Sequence, residues 1–142
     1  MNTLLAQIVC FVFIGLALWH FRMALIPPSG ESGAVPSAQG KPLFIPSRKA
    51  TVAVGIVLLL FAGLVAATSG ILPLGFPPVA LSWLSYALAV GLLVRAVGEF
   101  KYLGFFKRVR GTKFATLDTL VYSPLCLLLA TGVALVARLS SS

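Results

Sequence analysis

Four long apolar runs constrain what this chain can fold into. They cover residues 3–26, 50–72, 79–97 and 117–137. A bilayer core about 30 Å thick requires about 20 apolar residues of helix, and every backbone polar group in lipid must be satisfied within its own segment. The runs are continuous, without the alternation of a membrane β-barrel. The pattern therefore predicts an all-α membrane protein, with four transmembrane helices in one helical bundle.

Composition excludes an ordinary water-soluble domain. Of 142 residues, 59% are hydrophobic and 10% are charged, whereas soluble domains have about a quarter of their residues charged. The length suits one transmembrane domain over residues 1–142. The first run has no Lys or Arg before it and no clean cleavage site after it, so we expect a retained helix, not a signal peptide.

The positions of the Lys and Arg residues predict a direction in the membrane. Four lie at or after the end of the first run, six lie around the connection between the third and fourth runs, and Arg138 alone lies on the opposite side. The connection between the second and third runs carries no charge. By the positive-inside rule, loops 27–49 and 98–116 are cytoplasmic and both termini lie outside. Trp19 and Trp83 then fall near opposite membrane interfaces.

The two basic loops differ in character. Loop 27–49 is rich in Pro, Gly and Ser, which excludes a helix; its apolar Leu43-Phe44-Ile45 either returns to the membrane surface or belongs to a flexible linker. Loop 98–116 alternates aromatic and basic residues, which favours docking on anionic headgroups over a simple topology signal. The predicted anionic-lipid contacts are Lys101, Lys107, Arg108, Arg110 and Lys113.

The net charge of +8 points to the anionic membrane surface as the nearest polyanion. No nucleic-acid-binding motif accompanies the charge, so we expect no nucleic-acid partner. Cys10 and Cys126 each lie within an apolar run, without a second cysteine or a set of metal ligands nearby. We expect no cofactor and no metal.

Ionisable residues gather at the predicted cytoplasmic ends of the helices. Arg95 and Glu99 are four residues apart on one helix face, and the fourth run brings Asp118 and Tyr122 to the same side of the membrane, close to His20 of the first run. Charges inside membrane helices are costly, so each needs a reason. Two interpretations stay open. The cluster either fixes helix packing, with Asp118 as an ion-pair partner or an N-cap, or binds a ligand or a proton.

Pro124 lies too deep for a helix that begins near Asp118. It predicts a kink or a restart in the fourth helix, with a freed carbonyl that Tyr122 or Ser123 satisfies. Small residues in the second and fourth runs predict close helix approach, within this chain or to a second subunit. They are Gly55, Ala62, Gly63, Ala66, Ala67, Ala130, Gly132 and Ala134.

Several short segments carry a resemblance to a known family. They are residues 95–108 (RAVGEFKYLGFFKR), 111–115 (GTKFA), 118–119 (DT), 122–126 (YSPLC) and, upstream, 35–36 (VP), 40–44 (GKPLF) and Pro46. These segments resemble the signature of a bacterial family of small four-helix membrane proteins, the domain of unknown function 3995. The resemblance implies a bacterial inner-membrane location and supplies no activity.

Three functions remain for such a chain. We expect a small scaffold or accessory subunit that associates with itself or with a larger membrane complex. The alternative is binding or transport of a small solute or lipid through the cluster of Arg95, Glu99, Asp118 and Tyr122. An enzyme is the weakest of the three, because the single His and three acids match no catalytic motif and leave only chemistry on a lipid or quinone.

Overall fold

Four helices long and apolar enough to cross a membrane make up most of the described chain. The computed structural model describes residues 2–26, 37–38, 41–42, 46–98, 104, 106, 108 and 111–141. The first three spans are α1 (Asn2–Leu25), α2 (Arg48–Thr68) and α3 (Pro78–Val97). The fourth, Lys113–Ser140, consists of α4 (Lys113–Leu117), a π-helical turn (Asp118–Tyr122) and α5 (Ser123–Ser140). The predicted all-α helical bundle is confirmed.

A short hairpin lies between α1 and α2. Strands β1 (Ser37–Ala38) and β2 (Lys41–Pro42) pair antiparallel, with Ser37 opposite Pro42 and Ala38 opposite Lys41. The other residues of 27–45 lie outside the described part of the chain, and with them the predicted return of Leu43-Phe44-Ile45 to the membrane surface.

Two helices begin earlier than the apolar runs predict, because a hydroxyl side chain caps each start. The Ser47 side chain accepts the Ala50 N–H at 3.1 Å, so α2 begins at Arg48 and not at residue 50. The Thr112 side chain accepts the Ala115 N–H at 3.0 Å, so the fourth span begins at Lys113, four residues before the predicted 117. The alternative that Asp118 is an N-cap is therefore wrong, because Asp118 lies inside the span.

The other helix ends lie within four residues of the predicted ones. Helix α2 ends at Thr68, four residues before the predicted end, because the chain turns there through Gly70 with φ of +79°. The ends of α1 and α3 lie within one residue of the predicted 3–26 and 79–97. Helix α5 continues to Ser140, beyond the predicted 137.

All four spans contribute side chains to one apolar core. Phe13, Val65 and Val133 are fully buried in it, and the Phe13 ring meets the Phe61 ring edge-on at 5.8 Å between centroids. The remaining buried members are Ala6, Val9, Ala62, Ala89, Leu129 and Val136. Helix α1 packs chiefly on α2, and α3 on α5, so the bundle consists of two joined antiparallel pairs.

Small residues bring specific helices together, as the sequence predicts. A Cβ on Gly132 would lie 2.8 Å from Cγ2 of Val9, so the glycine lets α5 approach α1. A Cβ on Gly55 would overlap the Phe21 ring, which packs directly on the α2 backbone. Helices α2 and α3 share a buried hydrogen bond of 2.8 Å between the hydroxyls of Thr68 and Ser85. Close approach within the chain is thereby confirmed.

Charged residues collect at one end of the bundle, which we call the basic end. Arg22, Arg48, Lys49, Arg95 and Lys113 lie there, and Arg138 lies at the other end. Between the two ends the outward surface is apolar, with Phe11, Trp83 and Leu128 each at least 70% exposed. A surface of this kind requires an apolar environment to cover it.

We expect Gly132→Ala to destabilise the bundle relative to Gly63→Ala by about 1–3 kcal/mol, because the new methyl group overlaps Val9. Gly63 is the matched control, since a Cβ there meets no described atom within 4 Å and alanine favours helix. Thermal unfolding of both variants in the same detergent measures the difference. Equal unfolding temperatures would contradict the close α1–α5 contact.

Candidate functional site

A buried carboxylate joins three parts of the chain at the basic end. The Asp118 side chain is 0% exposed, and its Oδ1 accepts a hydrogen bond from Arg95 Nη2 at 2.9 Å. Its Oδ2 accepts the Gly104 backbone N–H at 2.7 Å. Both oxygens are thus bonded, which is the condition under which a buried charge is tolerated. The carboxylate connects the last turn of α3, the segment that follows it, and the π-helical turn.

Gly104 reaches this carboxylate because it has no side chain. Its φ is +84°, a conformation that residues with a Cβ rarely adopt. A Cβ at this position would overlap the Val97 carbonyl and the Cα of Gly98. The chain therefore folds back closely against the end of α3, and only glycine allows its N–H to point at Asp118.

The π-helical turn aligns two buried polar residues of the fourth span. The Ser123 N–H donates to the Asp118 carbonyl five residues earlier, and α5 restarts at Ser123 with Pro124 in its first turn. The interruption predicted from Pro124 is confirmed. In an α-helix, residues five apart lie about 140° apart around the axis, but i→i+5 bonding stacks them more nearly in line. Asp118 and Ser123 are both 0% exposed as a result.

Two hydrogen-bond donors in this part of the bundle are buried. Neither Arg95 Nη1 nor Ser123 Oγ has a hydrogen-bond partner among the described residues. The prediction that Ser123 satisfies a freed carbonyl is therefore wrong. Other hydroxyls in the spans bond the carbonyl four residues earlier, as Thr119 does to Ala115 at 3.1 Å and Thr131 to Leu127 at 3.0 Å. An unsatisfied buried donor costs about 1–3 kcal/mol.

Tyr122 and Cys126 complete the surroundings of the ion pair. Tyr122 interacts electrostatically with Asp118, and its ring lies 5.9 Å from the ring of buried Phe114. The Cys126 thiol is close enough to interact electrostatically with both Arg95 and Asp118. Cys126 follows Ser123 by three residues, so both lie on one face of α5. The sequence did not single out Cys126 as part of this site.

The structure brings together Arg95, Asp118 and Tyr122 of the predicted cluster. His20 instead donates from Nδ1 to the Leu16 carbonyl of its own helix at 2.8 Å. Its neighbour Arg22 lies over the Trp19 ring, 5.6 Å from the centroid. Glu99 lies outside the described residues, so its predicted membership in the cluster stays a prediction.

The predicted lipid-contact residues are described only in part. Arg108 and Lys113 are exposed, whereas Lys101, Lys107 and Arg110 lie outside the described residues. Within the described chain, no group of three or more His, Cys, Asp or Glu side chains is placed to hold a metal ion.

Sequence reasoning missed Gly104 and Thr112, and it assigned Ser123 a different role. A hydroxyl residue ahead of Lys-Phe-Ala was a recognisable cap signal for Thr112. Ser123 directly precedes a proline in an apolar run, but nothing local shows that its hydroxyl lacks the usual carbonyl partner. Gly104 contacts Asp118 across fourteen residues, which no local pattern predicts.

The fold and the site together define a class: a four-helix protein of membrane-spanning proportions, whose third and fourth spans are joined at one end by a buried ion pair. The chain belongs to the family described as "Protein of unknown function (DUF3995)", which it matches over residues 13–133. The matched region includes Arg95, Gly104, Asp118 and Ser123. No curated protein and no solved structure matches the chain.

We expect Asp118→Asn to destabilise the protein by about 3 kcal/mol, the lower part of the range for breaking a buried ion pair, because Arg95 is 34% exposed. The amide nitrogen would also face a donor, either the Gly104 N–H or Arg95. Unfolding in detergent gives the free-energy change. The control is exposed Arg108→Gln, for which a change within about 0.5 kcal/mol is expected. An Asp118→Asn protein as stable as its parent would show that the pair contributes little.

Proposed function

We propose that the chain is a small integral protein of the bacterial inner membrane that acts as a scaffold or accessory subunit, associating with itself or with a larger complex. The basic end lies in the cytoplasm and both termini lie outside. The charge distribution supports this orientation, because Arg22, Arg48, Lys49, Arg95 and Lys113 share one end of the bundle.

The outward face of α3 is the observation that carries the scaffold proposal. Ala80, Leu84, Ala87, Gly91 and Val94 are all exposed and follow the alternating four- and three-residue spacing of a helix–helix seam. A Cβ on Gly91 would meet no described atom within 4 Å. Small residues at this spacing let the backbone of a second helix come close, which is how membrane helices associate.

This face is distinct from the one that α3 buries within the chain. Ser85 is 1% exposed and Ala89 7%, and Ala89 lies roughly opposite Ala87 around the helix. The seam is therefore available to a second copy or to a helix of another protein while the bundle remains intact.

We expect Ala87→Cys, in a background with Cys10→Ala and Cys126→Ala, to form disulfide-linked dimers in native membranes under mild oxidation. Leu93→Cys is the matched control, since Leu93 is 45% exposed on the same helix about 120° away from Ala87. Adding Gly91→Leu should reduce cross-linking at Ala87 severalfold, because its side chain blocks close approach.

Non-reducing gels with quantified dimer fractions provide the readout. Equal dimer fractions at positions 87 and 93 would indicate random collision and remove the α3 seam as a self-association surface. A partner complex would give a product heavier than the dimer that forms only with the Ala87→Cys variant.

The basic end also supports contact with anionic lipid. Arg108 and Lys113 are exposed there, and each basic residue near an anionic surface contributes about 1 kcal/mol to binding. Lys101, Lys107 and Arg110 join this proposal from the sequence alone.

A second candidate function is binding or transport of a small solute or lipid at the ion pair. The unsatisfied donors at Arg95 and Ser123 favour it, because a purely structural cluster is expected to satisfy its own buried groups. Tyr122 and Cys126 lie on the same part of the fourth span and would border such a ligand.

This second function requires that small molecules reach the ion pair. In membrane vesicles we expect a small hydrophilic thiol reagent to modify Cys126 faster than Cys10 by at least tenfold. Cys10 is the matched control, because its thiol is also half-buried in the bundle and donates to the Ala62 carbonyl at 3.3 Å. Mass spectrometry of the intact protein measures both rates. Equal, slow rates would mean that the ion pair is sealed and serves packing alone.

A further inference from the structure

We infer that the unsatisfied donors beside Asp118 form a binding site for a phosphate oxygen. Arg95 Nη1 and Ser123 Oγ supply the donors, and the phosphate is that of a membrane lipid or a soluble phosphate ester. The inference rests on the binding role given above as the second candidate function, and it specifies the ligand's chemistry. We call Arg95 and Ser123 the donor pair.

Each member of the donor pair is connected to Asp118: Arg95 bonds its side chain, and the Ser123 N–H bonds its backbone carbonyl. Arg95 Nη2 bonds Asp118 directly, and Nη1 belongs to the same guanidinium group, so it lies within a few ångströms of that contact. Ser123 lies on the fourth span between Asp118, which forms the ion pair with Arg95, and Cys126, which interacts electrostatically with Arg95. The π-helical turn brings the serine onto the face that carries Asp118.

The two groups of the donor pair determine which kind of ligand atom can bind between them. A guanidinium nitrogen has only N–H groups to offer, so its partner must be an acceptor oxygen or an anion. The Ser123 hydroxyl can donate its proton to the same acceptor, because it is not used within its own helix as the hydroxyls of Thr119 and Thr131 are. The Asp118 oxygens already bond Arg95 and Gly104, so the further acceptor comes from outside the described chain.

Position and charge favour phosphate among acceptors. Arg95 lies two residues before the end of α3 at Val97, close to the level where a span of this length meets the headgroups. Its side chain is 34% exposed although Nη1 itself is buried, so the guanidinium lies near the surface of the bundle. Arg95 and Asp118 cancel in charge, and the exposed Arg108 and Lys113 make the surroundings positive. Arginine binds phosphate through directed N–H donors.

Unfolding temperatures in a nonionic detergent test the inference with three probes. The probes are inorganic phosphate, dioctanoyl phosphatidylglycerol and dioctanoylglycerol, which lacks phosphate, with ionic strength held constant using chloride. A ligand that binds only the folded protein raises its unfolding temperature in proportion to its affinity. We expect at least one phosphate-bearing probe to raise the unfolding temperature, and dioctanoylglycerol to have no effect.

Ser123→Ala should weaken that phosphate effect roughly tenfold or more in apparent affinity, since it removes one hydrogen bond to a charged group. Thr131→Ala is the matched control, because its exposed hydroxyl bonds Leu127 in the same helix, and its affinity should not change. Arg95→Lys keeps a positive charge for Asp118 but removes Nη1, and should also weaken binding. If Arg95→Lys fails to fold, the Ser123→Ala comparison decides alone.

The outcomes separate the two sources and the two proposals. An effect of phosphatidylglycerol alone assigns the site to a lipid, and an effect of inorganic phosphate assigns it to a soluble phosphate. No effect of either, or an equal effect on wild type and Ser123→Ala, overturns the inference. If Cys126 is nevertheless accessible to the thiol reagent, the binding function stands with a different ligand; if it is inaccessible, the binding function fails as well.

Discussion

A carboxylate buried in an apolar bundle must have both oxygens bonded, and the basic end of this protein is arranged around that requirement at Asp118. Arg95 supplies one donor from α3 and Gly104 supplies the other from the segment after it. The glycine is needed because the chain returns so closely to Val97. Asp118 therefore fixes three parts of the chain relative to one another, and the ends of the third and fourth spans cannot separate without exposing an unpaired charge to the bundle.

In this cluster both Asp118 oxygens are bonded, whereas Arg95 Nη1 and Ser123 Oγ have no partner among the described residues. This difference separates the two proposed roles of the cluster, helix packing and ligand binding. For packing alone, Arg95 Nη2 and Gly104 suffice. Ser123 adds nothing to packing that alanine would not, yet the π-helical turn directs its hydroxyl inward. Such turns recur at functional sites in other proteins. The packing role explains Asp118, whereas the donor pair needs an acceptor from elsewhere.

The small residues divide between two tasks. Gly55 and Gly132 lie against Phe21 and Val9, so they serve contacts between helices of this chain. Gly91 and Ala87 lie on the outward face of α3, away from the buried Ala89. In lipid, apolar surface alone gives helices little reason to associate, and close backbone approach becomes the main source of attraction. The scaffold proposal therefore rests on α3, while the ligand proposal rests on the neighbouring basic end of the same helix.

The sequence alone determined the number of spans, the all-α class and the interruption at Pro124, because bilayer thickness and the geometry of proline act on composition and local sequence. It placed Arg95 and Asp118 at the same end of the bundle, but left open whether Asp118 is an ion-pair partner or an N-cap. It misplaced the starts of α2 and the fourth span, since Ser47 and Thr112 lie beyond the apolar runs that mark the helices. Only the tertiary structure decided that Gly104 bonds Asp118 and that the Ser123 hydroxyl has no partner among the residues that the structure describes. Both depend on how distant backbone segments meet, and local sequence patterns do not carry that information.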